Sequence, residues 1–492
     1  MSNKKGFLIH FSHFFSGQAV ILLIGFITFP ILTRLLPVEE YGMLSLVTNT
    51  MLLTVAMAKA GLSDGIIRMH GDYTGSNEER TIFASTVCFG AATIALLVTL
   101  GYWSSLPLLS RFLNLNAKFQ ICFQVMTAYI LVRPLNVACL NLLRSNGKTV
   151  FINLVNVANK MTAVTIGLVL LLFVIKDLYG FFTGIVISEY LAFLVLSHWF
   201  FRHYTVRPLS ASARLARQLI IFGIPLLFTE LSYLLLSYAD RYIILFFHGE
   251  SELGIYTAGQ SLPMYIAGVI TFSVSNAIVP LYVKVYNSEG AGATELFLRD
   301  SFHYLLMGLL PICFGYQAVV KDLYLLLATE KFADAALFSP LILVGSLLLG
   351  INSVLNAGLY LTKKTKVIFA IICMGVIINI PLNFLLIPKY PIFGAAWATL
   401  IACAFTSVFT VLFSFRYIRV RLKREALYHL LLSLIMYFSV NLISTNTPLL
   451  TLGLKVVTGG IIILSGILLI ERELAAKLQE LLWKKKWIGN PT

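Results

Sequence analysis

Among the ionisable side chains inside stretches that are otherwise apolar are Lys59, Arg133, Lys160, Glu189, Glu230, Asp240 and Arg241. A charge at the centre of a hydrocarbon layer costs roughly 3 kcal/mol or more, so such residues face a cavity or a partner. Lys and Arg in that setting bind anions, above all phosphate groups. Carboxylates there carry protons or cations, and Glu189, Glu230 and Asp240 are the ion-coupling candidates. The cations are concentrated early in the chain. Lys59, Arg133 and Lys160 precede residue 217, with Glu189 as the counter-charge, and an aqueous cavity so lined would favour an anionic cargo. Two polar stripes frame these charges. Thr149, Asn153, Asn156 and Lys160 fall within about 60° of one another on a helix, and Glu230, Tyr233, Ser237 and Arg241 within about 80°. Either stripe lines a cavity or bonds across a helix interface. Individual residues carry similar alternatives. Lys59 binds cargo or snorkels to the surface. Arg133 binds cargo or bonds carbonyls freed by Pro134. Glu189 and Glu230 carry ions or form a salt bridge to Lys160 or another helix.

The elements that position these residues follow from composition. The chain has 492 residues, 58% hydrophobic and 12% charged. A soluble domain carries about 25% charged residues, so this is a polytopic membrane protein of all-α class. Fourteen stretches reach the ~20 residues that cross a hydrocarbon core. They run from Ser12–Leu35 to Leu449–Ile470, and Leu427–Ile443 is the shortest. With the N-terminus in the cytoplasm, inner loops hold 25 Lys and Arg and outer loops 7. This bias predicts both termini inside. It also explains the net charge of +15 without nucleic acid, because the basic residues are scattered over short loops.

Other chemistry is absent from the pattern. The six cysteines sit in apolar runs with no CxxC spacing, which predicts buried thiols and no metal centre or disulfide. Gly147-Lys148-Thr149 resembles the end of a phosphate-binding loop, but Leu142 stands where the motif needs glycine. No loop is long enough for a soluble catalytic domain of ~50 residues. The first apolar stretch lacks a cleavage site and reads as a retained helix. From Glu471 to Trp487 the spacing predicts an amphipathic interfacial helix.

The sequence also echoes itself. TRLLPVEEYGMLSLVTN follows the first span, and DRYIILFFHGESELGIYTAGQ follows the seventh. Six intervening spans leave two six-helix units in the same orientation, a parallel repeat. The expected division is 1–217 for helices 1–6, 218–426 for helices 7–12, and 427–492 for two appended helices and a basic tail.

These features resemble the polysaccharide-export (oligosaccharide flippase) branch of the multidrug/oligosaccharidyl-lipid/polysaccharide transporter superfamily. The likeness covers essentially the whole chain. It is carried by Arg34, Glu40, Tyr41 and Gly42; by Asp240, Arg241, Gly254 and Tyr256; and by Thr365, Lys366, Asn383, Pro388, Gly394, Ala395, Ala396 and Thr399. Pro391 and Ile392 depart from the usual glycine there. The resemblance implies two six-helix lobes, as in multidrug exporters of this superfamily, around a central cavity that works by alternating access. It implies no enzymatic activity and no cofactor, with coupling to a proton or sodium gradient. The implied cargo is a polyprenyl pyrophosphate-linked oligosaccharide, moved to the outer leaflet of a bacterial cytoplasmic membrane. Lys59, Arg133, Asn153, Asn156, Lys160 and Arg241 would line its site. Membrane lipids, a polysaccharide polymerase and other glycan-assembly proteins would be its partners. Two rivals share the fold: a peptidoglycan-precursor flippase and a cation-drug exporter.

Overall fold

The computed structural model describes residues 2–471, and the expected amphipathic segment beyond Glu471 lies outside them. Among the described residues every regular element is helical. The first six long helices are α1 Ser2–Leu35, α2 Val38–Lys59, α3 Asn77–Phe112, α4 Ala117–Ser145, α5 Thr149–Val174 and α6 Leu178–His203. The chain from Ala213 to Leu327 is then helical for 115 residues. At 1.5 Å per residue a straight run would reach about 170 Å, against a hydrocarbon core of about 30 Å. Gly249 and Gly290, with φ of 83° and 82°, interrupt it, since a left-handed residue cannot continue a right-handed helix. The run therefore supplies α7 (213–248), α8 (250–289) and α9 (291–327). α10 Ala335–Leu355, α11 Thr365–Leu386, α12 Pro391–Ser414, α13 Glu425–Asn441 and α14 Pro448–Ile470 complete the series. Eleven helical segments among the described residues are long and apolar enough to cross a membrane. Two of those segments contain the three stretches α7 to α9, and α1 and α13 bring the helices to the expected fourteen.

The described chain packs as two compact units. Of the described residues, one unit comprises 2–258 with 372–402, the other 259–371 with 403–471. These groupings by packing stand beside the sequential division at 217 and 426 and do not replace it.

In the first unit, α2 begins after Pro37 with Glu39 and Glu40 in its first turn, where the helix dipole favours negative charge. Lys118 at the start of α4 donates to Glu40 at 2.6 Å and lies 3.5 Å from Asp177, just before α6. One ammonium thus ties three helix starts. At its other end α2 stops at Lys59, because Ala60 and Gly61 are left-handed, with φ of 43° and 71°. There Gly61 meets Gly223 of α7 so closely that a Cβ on Gly223 would stand 1.8 Å from the Gly61 carbonyl oxygen. We expect Gly223→Ala to cost about 1–3 kcal/mol by overpacking, read as a lower Tm of the purified protein. An unchanged Tm would contradict this backbone contact.

The two echoed segments also meet. A Cβ on Gly42 would lie 2.6 Å from the Gly254 nitrogen, and one on Gly254 would lie 2.0 Å from the Val38 carbonyl oxygen. The shared Gly of the echo is thus the point where α2 and α8 touch.

Candidate functional site

The ionisable residues singled out by sequence resolve into three groups within the first unit. The first joins α4, α5 and α6. Arg133 on α4 places Nη1 3.1 Å from Oε1 of Glu189 on α6. Asn136, one turn after Arg133, donates to the same oxygen at 2.7 Å and to the Glu189 carbonyl at 3.0 Å. Asn159 of α5 donates to the other carboxylate oxygen at 2.9 Å. Ser188 donates to Asn159 Oδ1, and Thr162 shares a 2.6 Å hydrogen bond with Ser188. Glu189 is 3% exposed and Arg133 28% exposed at the side chain. A carboxylate is tolerated so deep because a guanidinium and two amides saturate it. Glu189 therefore pairs with Arg133 and not with Lys160.

Lys160 sits one residue beyond Asn159 and so turns away from this cluster. It is exposed, and it makes no hydrogen bond or ion pair among the described residues. The other members of its stripe differ from it. Asn153 packs against α1, where a Cβ on Gly17 would stand 2.7 Å from its Cγ. Asn156 is half-buried and makes no hydrogen bond among the described residues.

The second group links α2 to α7. Lys59 donates to both oxygens of Glu230, at 2.5 and 2.8 Å. The pair stands beside the Gly61–Gly223 contact, with the Glu230 side chain 41% exposed. Because such exposed pairs contribute about 0–1 kcal/mol, Lys59→Met should change Tm little, and transport measured in the same preparation should fall. A large loss of Tm with transport intact would make the pair a structural bond only.

The third group lies further along the same seam. Arg241 and Asp240 are both buried and 3.5 Å apart. Tyr256 donates to Asp240. Arg241 donates to Ser45 of α2 and to the Ser237 carbonyl, each at 2.9 Å, and lies over the Tyr238 ring. Thr50 of α2 shares a 2.7 Å hydrogen bond with Tyr242. Both ends of the α7 stripe thus face α2, Glu230 at one and Arg241 at the other. Asn136 and Asn159 are the members that sequence reasoning missed. Asn136 stands at i+3 from Arg133, which was a usable signal. Asn159 falls off the stripe drawn through Lys160, and only the packing of α5 on α6 reveals it.

Comparisons with known proteins agree with this architecture. A family model described as "Polysaccharide biosynthesis protein" matches residues 10–285. A second, described as "MatE", matches residues 225–385. An uncharacterised membrane protein of Methanocaldococcus jannaschii is 22% identical over 320 residues, 65% of this chain and 59% of that one. The capsular polysaccharide biosynthesis protein CapF of Staphylococcus aureus is 25% identical over 241 residues, 47% of this chain and 58% of that one. The matches therefore span less than two thirds of those two relatives' own length. Among solved structures, the lipid II flippase MurJ in an inward closed conformation superposes with a TM-score of 0.78 at 17% identity, covering 95% of this chain and all of that one.

Proposed function

The chain belongs to the polysaccharide biosynthesis protein family, of the superfamily of multidrug and oligosaccharidyl-lipid transporters, and from that membership we propose that it is a flippase for a pyrophosphate-linked glycan lipid. Its cargo is an oligosaccharide repeat unit on a polyprenyl pyrophosphate, carried from the cytoplasmic to the outer leaflet for surface polysaccharide synthesis. The membrane is a bacterial cytoplasmic membrane, with both termini inside and a polysaccharide polymerase downstream.

One observation carries this reading: each intramembrane carboxylate of the first unit named above has a cationic neighbour, while Lys160 stands exposed with no partner among the described residues. The uncompensated charge is therefore positive, and it suits a pyrophosphate. A drug cation would find no open carboxylate among Glu189, Glu230 and Asp240. Arg133, partly exposed, is the second ligand. Pyrophosphate oxygens and the Glu189 carboxylate compete for the same guanidinium, so cargo would weaken the Arg133–Glu189 pair. The displaced carboxylate would then take up a proton or sodium ion, which couples cargo to a gradient. Lys59–Glu230 and the two glycine contacts close α2 against α7 and α8, and alternating access would part them in turn. The lipid tail stays in the bilayer.

Deleting the gene tests this. Loss of surface polysaccharide together with accumulation of a cytoplasm-facing pyrophosphate-linked oligosaccharide is expected. Accumulation of a peptidoglycan precursor instead would assign the chain to that cargo. Raised drug sensitivity with no lipid-linked glycan would overturn the reading.

A further inference from the structure

The second unit contains a cluster with no part in the transport cycle proposed above. His303 of α9, His429 of α13 and Glu471, the residue after α14, converge there. His303 Nε2 lies 2.7 Å and His429 Nε2 3.1 Å from the same Glu471 oxygen, Oε1. Both imidazoles are 1% exposed and Glu471 is 14% exposed at the side chain. The two rings are 5.3 Å apart and tilted by 47°, so they are not stacked, and their Nε2 atoms converge. One potential ligand atom from each residue lies within 4.8 Å of the others.

We propose that this cluster is a divalent transition-metal site, best suited to Zn²⁺, that clasps the end of α14 to α9 and α13. Two imidazoles and a carboxylate are a zinc donor set. With bonds of about 2.0–2.1 Å, tetrahedral ligand atoms stand about 3.3 Å apart. The two nitrogen–oxygen spacings, 2.7 and 3.1 Å, need to open by roughly 0.6 and 0.2 Å to reach that value. No Lys or Arg lies within ion-pair distance of Glu471 among the described residues. The hydrogen-bonded alternative has no compensating advantage for His303. Its Nδ1 is buried without a hydrogen-bond partner among the described residues. With the proton on Nε2 a bare nitrogen is buried, and with the proton on Nδ1 the Nε2 lone pair is free for a metal.

The location gives the clasp a purpose. α13 buries a single stripe, His429, Ser433, Met436 and Val440. Met436 and Val440 pack on Ala318 of α9 and beside Ile462 and Ile463 of α14. At one end of this seam Lys455 of α14 is held 2.7 Å from Asp322. The His–His–Glu cluster closes the other end.

The test uses the full chain without an affinity tag, purified in detergent, stripped of metal and dialysed against Zn²⁺. One Zn²⁺ retained per chain is expected, together with a higher Tm. Co²⁺ in its place should give the visible ligand-field bands of a tetrahedral site. His303→Asn and His429→Asn should each weaken binding by at least roughly 100-fold, the upper end of what losing an outer-shell partner costs. Glu471→Gln keeps the shape and the hydrogen bonding, so it serves if a histidine variant fails to fold, and it should lose the Zn²⁺ as well. No retained Zn²⁺ in the wild type would overturn the site, as would retention undiminished in the folded variants.

Discussion

Lys160→Ala is expected to lower transport of a pyrophosphate-linked glycan by roughly 10- to 100-fold, the value of one charge-assisted hydrogen bond to the cargo. Tm should stay nearly constant. The side chain is exposed and without a partner among the described residues, so its removal orphans nothing, and such substitutions stay within about 0.5 kcal/mol. Lys160→Arg keeps the charge and should retain most transport. The pairing of the two readouts is diagnostic, because a residue that merely holds helices together loses stability first. Transport by vesicle-reconstituted Lys160→Ala at the wild-type rate would remove this residue from the site.

Glu189→Ala should show the opposite pattern, with stability as the main loss. It would leave Arg133, Asn136 and Asn159 facing a void where they now share one carboxylate. Removing one member of a buried pair costs about 3–5 kcal/mol, and the partial exposure of Arg133 puts this case near the lower end. Combining it with Arg133→Met should restore part of the loss, since no unpaired charge then remains. Glu189→Gln separates structure from coupling. The amide oxygen can still accept from Asn136 and Arg133, while the NH2 faces the donating Asn159, and the side chain no longer carries a charge to exchange with cargo. Its Tm should fall less than that of Glu189→Ala, and its transport should lose dependence on an imposed proton or sodium gradient. Equal melting of Glu189→Ala and wild type would refute the packing described for α4, α5 and α6.

Span count and fold class were legible because a bilayer imposes a length and a composition that few other constraints override. Even the shortest span, the seam-bearing α13, stood out as an apolar run. The interruptions at Gly249 and Gly290 lay between apolar runs and were readable as loops. The structure makes each a single left-handed residue in a helical path. The charged residues were legible as a set, since charge inside an apolar run is conspicuous in sequence. Their partners were not. Lys59 finds Glu230 across 171 residues and Arg133 finds Glu189 across 56. Only the crossing of α2 with α7, and of α4 with α6, sets those pairs. The echo around Gly42 and Gly254 was visible as a repeat. That its two copies touch follows from the absence of side chains at both glycines, a fact about contact that one-dimensional spacing does not carry. The buried histidines were hidden for a related reason. His303 and His429 lie 126 positions apart with no ligand motif near either, and the third member stands one residue past a helix end.

The measurement that bears most directly on the central claim places the purified chain in vesicles with a polyprenyl pyrophosphate-linked oligosaccharide. The share of glycan reachable by an enzyme added outside is then followed with time. Protein-dependent transfer of the pyrophosphate-linked lipid is expected, with far slower transfer of the same glycan on an uncharged lipid carrier and of the native cargo by Lys160→Ala. Equal transfer of both lipids, or none of either by a folded and correctly inserted protein, would contradict it.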